Sequence, residues 1–268
     1  MGDIKLIASD IDGTLLFDWR ARTLGPEVLE AVGRALDAGI VFVAASGRQC
    51  FNMRNLFGPY ADRLVYICEN GTLALWGEKV LYKAKADRGE LLVLARSVLA
   101  TDHLHLLLSG TKACYVSADD PAFFERMGRG LGNLTMPFGS PEDINDDLVK
   151  VGIWFADPTD PETLAEVEEI KARFADSFEI VTSGSDWYDV VPHGQNKAVA
   201  LEAVGRTLGI KPVDMVAFGD NFNDVPMLNY VGHPYLMESG NPNLRNLNPR
   251  LCLCNNVPQT IHLILDNI

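Results

Sequence analysis

Ile4-Lys5-Leu6-Ile7-Ala8-Ser9 runs straight into Asp10-Ile11-Asp12-Gly13-Thr14, and that junction decides how the chain is read. A short apolar run followed by a glycine turn is the pattern of a buried strand. Downstream, Pro26 to Ala38 puts Val28, Leu29, Val32, Ala35 and Leu36 on one helical face, with Pro26 suited to the first turn and Gly39 to the end. Ile40 to Ala45 and Leu64 to Cys68 follow as further strands. Runs that are apolar throughout, alternating with helices, predict a parallel sheet covered on both faces, an α/β fold of Rossmann-like kind. The same rhythm returns near the end. A helix from Lys197 to Leu208 with Leu201, Val204 and Leu208 on one face precedes a strand at Met215 to Phe218. A final helix aligns Ile261, Ile264, Leu265 and Ile268.

Between these parts the pattern changes. One helix is expected at Gly89 to Ala100, then strands at His103 to Ser109 and Ala113 to Ser117 across a Gly110-Thr111-Lys112 turn. A short helix around Pro121 to Leu131 and a Gly-, Pro- and Asn-rich loop come next, then a strand at Val149 to Phe155. Asp160 caps and Pro161 opens a helix with Leu164, Val167, Ile170 and Phe174 along one face. Strands at Phe178 to Thr182 and Trp187 to Val191 flank a Ser183-Gly184-Ser185 turn. These adjacent hairpins and helices predict an antiparallel sheet with helices on one side. The expected division is an α/β core of residues 1–82 and 191–268, interrupted by an α+β module of residues 83–190.

Composition narrows the function. Apolar residues make up 47% of the 268, enough to build a core, which excludes a disordered tail and a disulfide-stapled miniprotein. Against 23 Lys and Arg stand 36 Asp and Glu, a formal charge of −13, so a general basic field for nucleic acid is excluded. Apolar runs such as Leu104 to Leu108 fall far short of the roughly 18 residues of a membrane span, and no membrane partner is expected. Met1 to Lys5 shows no charged-then-apolar leader. Five scattered cysteines without paired CxxC spacing argue against zinc and for a reducing, cytoplasmic setting. Cys252 and Cys254 read as alternate positions of one buried strand.

Three core strands end in polar residues: Asp10-Ile11-Asp12-Gly13-Thr14, Ser46-Gly47-Arg48, and Gly219-Asp220-Asn221-Phe222-Asn223-Asp224. In an open parallel sheet the carboxyl ends of the strands form the ligand crevice, so Asp10, Asp12, Ser46, Asp220 and Asp224 are expected to converge. Singly, each has a plain structural reading: Asp12-Gly13 as a turn, Ser46-Gly47 as a strand-to-helix turn, Asp220 to Asp224 as a cap, and Lys197 as a solvated cation. Together they do not. Like charges about 4 Å apart cost roughly 4 kcal/mol at an effective dielectric of 20, so the cluster calls for a cation. An all-oxygen set favours Mg²⁺, and Lys197, at a helix start, adds positive charge beside an anion-binding terminus. The assembled chemistry suits a phosphoryl group. Asp10 can attack phosphorus, and Asp12 can protonate the leaving oxygen and later activate water.

These segments, in this order and with a long insert between the second and third, resemble the four motifs of the haloacid dehalogenase (HAD) superfamily. Within it the chain is similar to the Cof-type phosphatases, whose inserted cap is of the C2B kind. The resemblance implies that Asp10 is nucleophile and Mg²⁺ ligand, that Asp12 is acid/base and binds the metal through its carbonyl, and that Asp220 is a metal ligand. Ser46, Gly47 and Lys197 would hold the phosphate, Asn223 would contact it, and Asp224 would support the metal shell. Asn70-Gly71 matches a further cleft segment of the subfamily, with an ordinary turn as its alternative. The tail departs from the pattern: Met237-Glu238-Ser239-Gly240-Asn241 and Asn255-Asn256-Val257 stand where such proteins usually carry Met-Gly-Asn-Ala-like and Asp-Gly segments.

The expected function is Mg²⁺-dependent hydrolysis of a small phosphorylated metabolite such as a sugar phosphate, by a monomer or weak homo-oligomer. A phosphomutase of the same superfamily and a receiver-like phosphoacceptor module are the alternatives, the second needing only about half this length. The insert is expected to act as a lid. Trp187, Tyr188 and His193 are candidates for the substrate pocket or for packing, and His103 and His105 read as surface residues of a strand.

Overall fold

A computed structural model of the chain describes residues 3–18, 21–182 and 186–267. It divides into two compact units, Met1–Lys83 with Asn196–Ile268, and Ala84–Gln195. The second crossing falls after Gln195 rather than at 191, because Val191 and Pro192 still pair with Glu179 and Phe178 in the inserted unit's sheet.

In the first unit the strands are β1 (Leu6–Asp10), β2 (Val41–Ala45), β3 (Val65–Cys68), β4 (Leu73–Trp76) and β5 (Lys79–Lys83), joined late in the chain by β12 (Met215–Gly219), β13 (His233–Met237) and β14 (Cys252–Cys254). Among the described residues they form one sheet in the order β14-β13-β12-β1-β2-β3-β4-β5. From β14 to β3 the pairs are parallel, and β3-β4-β5 close that edge antiparallel, a hairpin the apolar runs do not announce. Alternation along β1 and β2 serves both faces. Ile7, Phe42 and Ala44 pack with Val28 and Val32 of α1 (Pro26–Asp37), Met53 of α2 (Cys50–Phe57) and Ile261 of the last helix (Val257–Leu265). Leu6, Ala8 and Val43 pack on the other face with Ala200 and Val204 of the helix Lys197–Leu208 and with Met227 of Val225–Tyr230. Both faces are therefore covered, as continuous apolar strands require. β14 is an edge strand, and Cys252 is exposed while Cys254 is buried; the expected wholly buried strand is corrected, since an edge strand has one open side.

The inserted unit carries β6 (His105–Gly110), β7 (Cys114–Ser117), β8 (Thr135–Phe138), β9 (Leu148–Trp154), β10 (Phe178–Thr182) and β11 (Trp187–Pro192), in the order β10-β11-β9-β6-β7-β8. All its pairs are antiparallel except β7-β8. Leu106, Leu108, Val151 and Ile153 face α3 (Arg88–Leu99) and α5 (Pro161–Phe174). Helices are not confined to that side: Leu107, Cys114 and Val116 pack on the opposite face with Phe123 of the short α4 (Pro121–Glu125) and Met127 of the π turn that follows it, Arg126–Gly130. Asp160 caps α5 by accepting from the Thr163 amide at 2.8 Å. The buried face of α5 is Thr163, Val167, Ile170 and Phe174, and Leu164, expected on it, is 40% exposed. The expected Ser183-Gly184-Ser185 turn and Ile268 lie outside the described residues. The remaining helices are α6 (Lys197–Leu208), α7 (Val225–Tyr230) and α8 (Val257–Leu265).

Candidate active site

β1 lies between β12 and β2, where successive connections run to opposite sides, the switch point at which such sheets bind ligands. Ser9 pairs with Phe218 and Asp10 with Ala45, so the ends of the three strands coincide. Asp10 therefore stands beside Gly219-Asp220 and Ser46 without any long side chain having to reach. Gly13, at φ +86°, lets the chain turn away against Asp220; a Cβ there would lie 2.4 Å from Asp220 Oδ2.

Lys197 comes from a different direction, the first turn of α6. Asn196 caps that helix, its Oδ1 accepting from the amides of Ala198 and Val199 at 3.0 and 3.2 Å. The turn Glu69–Gly71 presses on the same start: a Cβ on Gly71, φ +91°, would lie 2.3 Å from the Asn196 carbonyl. Asn70 belongs to this turn and donates its amide to the Ser46 carbonyl at 3.1 Å. So fixed, the wholly buried Lys197 donates from Nζ to Asp10 Oδ1 at 2.5 Å and to Asp224 Oδ1 at 2.6 Å. Asp224 owes its place to a capping box with Asn221, its Oδ2 accepting the amides of Asp220 and Asn221 at 3.0 and 3.1 Å.

Asp10, Asp220 and Asp224 each bring one carboxylate oxygen within 4.8 Å of the others. Burial pushes the Asp10 carboxyl well above the usual carboxylate range; Lys197 opposes the shift, and Asp224 and Asp220 add to it. Asp220 is raised to about 6, by burial first and then by Asp224, again against Lys197. Lys197 is itself pushed up by its two carboxylate partners, against its burial, and stays protonated. Three carboxylates against one ammonium leave an excess of negative charge that a proton or a metal cation would neutralise.

Asp12 is turned aside from this cluster. Arg48 donates to it through Nε at 2.8 Å and Nη2 at 2.6 Å, and from Nη1 to Asn52 Oδ1 at 2.8 Å. Ser46, buried, points its Oγ toward Asp12 Oδ2 at 3.5 Å and accepts the Arg48 amide at 3.2 Å. Gly47 lies between them in sequence. Asn223 sits on the single turn Phe222–Asp224, exposed and outside the ion-paired cluster. Arg48 is the side chain that residue patterns miss, because spacing shows that it ends a strand but not where its guanidinium goes. Its faint signal is Asn52 one helical turn on. The departing tail segment nevertheless reaches the site, as the Asn241 amide donates to the Asp220 carbonyl at 2.8 Å.

Within the inserted unit, Trp187 and Tyr188 are half-buried among aromatic neighbours and His193 is exposed. Trp187 donates to Asp189 Oδ1 at 2.9 Å beside Phe123, Tyr188 stacks on Phe155 at 5.7 Å, and His193 Nε2 bonds the Ala175 carbonyl at 2.9 Å. His103 bonds Glu166 at 3.2 Å near the surface. His105, expected at the surface, is instead held by Asp120 at 2.5 Å and packed against Trp154 and Phe123 at 4.7 and 5.3 Å, because α4 covers that face.

Residues 7–261 match the family of haloacid dehalogenase-like hydrolases. The chain is 25% identical over 237 residues to the 5-amino-6-(5-phospho-D-ribitylamino)uracil phosphatase YbjI of Escherichia coli, covering 88% of this chain and 86% of that protein. It is 29% identical over 256 residues to an HMP-PP phosphatase of Shigella flexneri, covering 92% and 89%. The subclass IIB sugar phosphatase BT4131 shares the fold at a TM-score of 0.76 and 20% identity, over 97% of this chain and 99% of that one. With the family matched from the first strand to the last helix, the chain belongs to the haloacid dehalogenase-like hydrolases.

Proposed function

We propose that the chain hydrolyses a small phosphomonoester with Mg²⁺ as cofactor, through an aspartyl-phosphate on Asp10. The observation that carries this reading is Lys197 bridging Asp10 and Asp224, with an Asp220 oxygen in the same 4.8 Å group. The donor set fits Mg²⁺: the clustered ligand atoms are carboxylate oxygens, and histidine and cysteine are absent from the group. Asp10 and Asp220 would hold the ion, with the Asp12 carbonyl, while Asp224, spent on Lys197 and two amides, keeps both in place. When bound, Mg²⁺ supplies positive charge to the phosphoryl oxygens.

The chain's own groups do the rest. Lys197 engages Oδ1 of Asp10, so Oδ2 is the oxygen that forms the bond to phosphorus as the bond to the leaving oxygen breaks. Asp12 delivers a proton to that leaving oxygen, which requires Arg48 to release one of the two carboxylate oxygens it holds. Asp12 then takes a proton from water, the water oxygen attacks phosphorus, and the Asp10–phosphorus bond breaks to give inorganic phosphate. Ser46, the Gly47 backbone and Lys197 surround the phosphoryl group, and Asn223 contacts it from its turn. None of the five cysteines, all within the described residues, is disulfide-bonded, which fits a reducing compartment such as the cytoplasm. No described helix is long and apolar enough to cross a membrane.

The test is phosphate release with magnesium or with chelator, over sugar phosphates, nucleotides, pyridoxal phosphate and the compounds in the relatives' names. Release that needs magnesium and falls at least about a thousandfold in a folded Asp10→Asn protein is expected, since the covalent step is lost. Undiminished release by Asp10→Asn overturns the assignment of the nucleophile.

A further inference from the structure

Two thiols lie together beside the strand end that carries Ser46, and the hydrolysis proposed above uses neither. Cys50 is the first residue of α2 and Cys68 the last of β3. Backbone bonds lock the two segments side by side: the Ser46 amide donates to the Ile67 carbonyl at 2.9 Å, and the Glu69 amide to the Arg48 carbonyl at 3.1 Å. Both cysteines face one apolar cluster, Cys68 wholly buried within it and Cys50 partly exposed at its edge. Cys68 turns its thiol to the Tyr66 carbonyl at 3.9 Å, and its side chain is the first influence on the Cys50 thiol beside it.

A solitary buried cysteine behaves as a small hydrophobe. Two in contact, one of them open to solvent, have the arrangement that thiol–disulfide chemistry needs: an attacking sulfur a reagent can reach and a resolving sulfur shielded behind it. The surroundings favour Cys50 as the first to react. The Cys68 side chain holds its thiol below the ordinary value, against burial and Glu69, and Arg54 one turn along the helix adds to the effect. A position at a helix N-terminus acts in the same direction.

We propose that Cys50 and Cys68 form a reversible thiol–disulfide site whose oxidant is a hydroperoxide. The Cys50 sulfur attacks one peroxide oxygen and the O–O bond breaks, giving a sulfenic acid and, from hydrogen peroxide, water. The Cys68 sulfur then attacks the Cys50 sulfur, the S–O bond breaks, and the hydroxyl leaves as water with the Cys68 proton. The two thiols together lose two electrons and two protons, and the peroxide is reduced to two waters. A dithiol reductant reverses the change.

The full, reduced chain is exposed to a small excess of hydrogen peroxide, alkylated with N-ethylmaleimide and digested with trypsin. The expected result is a peptide joining residues 49–54 to 64–79, lighter by two hydrogens than the pair, unalkylated at both cysteines, and lost on treatment with dithiothreitol. Cys50→Ser abolishes it. In Cys68→Ser the oxidation stops at a Cys50 sulfenic acid that dimedone traps; if that variant fails to fold, the unsubstituted chain and Cys50→Ser still decide the matter. Oxidation of exposed Cys252 while 49–54 and 64–79 remain separate and alkylated overturns the proposal, as does linkage of Cys50 to any other cysteine. The readout is independent of phosphate release, so loss of the proposed activity leaves it standing.

Discussion

Asp220 shows how much a single side chain carries. Its carboxyl moves from an ordinary 3.8 to about 6 on folding, with burial and Asp224 as the leading causes. The folded chain then binds more protons than the unfolded one between those values, so this group's contribution to stability falls as pH rises from 3.8 to about 6. Asp220→Asn removes that cost. In metal-free protein the variant is expected to be the more stable above pH 6, with the gain shrinking toward pH 4, in urea melts across that range. Solvent screens this partly exposed group, so the gain stays below about 3 kcal/mol. Added magnesium should raise the melting temperature of the parent chain and move the variant less, because binding to the folded state alone stabilises it. An equal magnesium shift in both would remove Asp220 from the ligand set. At this scale the sequence is legible where chemistry sits in residue type and position. Asp10, Lys197, Asp220 and Asp224 meet because strand ends and a helix start bring them together. The clamp of Arg48 on Asp12 is not legible, since the direction of a long flexible side chain is set by what it finds in space.

At the scale of elements, caps and faces follow local rules more closely than edges do. Asn196 is expected to contribute about 0.5–2 kcal/mol to α6, and Asn196→Ala should lose that much in urea melts while loosening the seat of Lys197. On α5, Ile170→Ala empties a buried site and should cost about 2–5 kcal/mol, whereas exposed Leu164→Ala should stay within about 0.5 kcal/mol. Equal costs would return Leu164 to the core face. At roughly 100° per residue Leu164 lies about 120° round the helix from Ile170, at the margin of the apolar stripe, and the neighbouring sheet decides how far round the cover reaches. The hairpin β4-β5 escapes an apolar search because β5 carries lysine at both ends and lies on the sheet's edge. β8 escapes because Pro137 sits within it, a residue that edge strands alone tolerate.

Over the whole molecule, each apolar cluster stays within one unit: two flank the eight-stranded sheet and two flank the six-stranded one. The division into a split α/β part and an insert is legible because periodicity changes twice along the chain. The return point is less so, because β11 leads into α6 through only four residues. The pairing of Lys197 with Asp10 spans 187 positions. During synthesis on a ribosome, Asp10 emerges long before its counter-ion, and β1 has only β2 beside it until β12 appears. A nascent chain halted at Lys83 would have to bury an uncompensated acid in a half-built sheet, so the fragment 1–83 should show no cooperative melt by circular dichroism. The first unit can close only after translation has passed Gly219, and until then its earliest strand is work for chaperones.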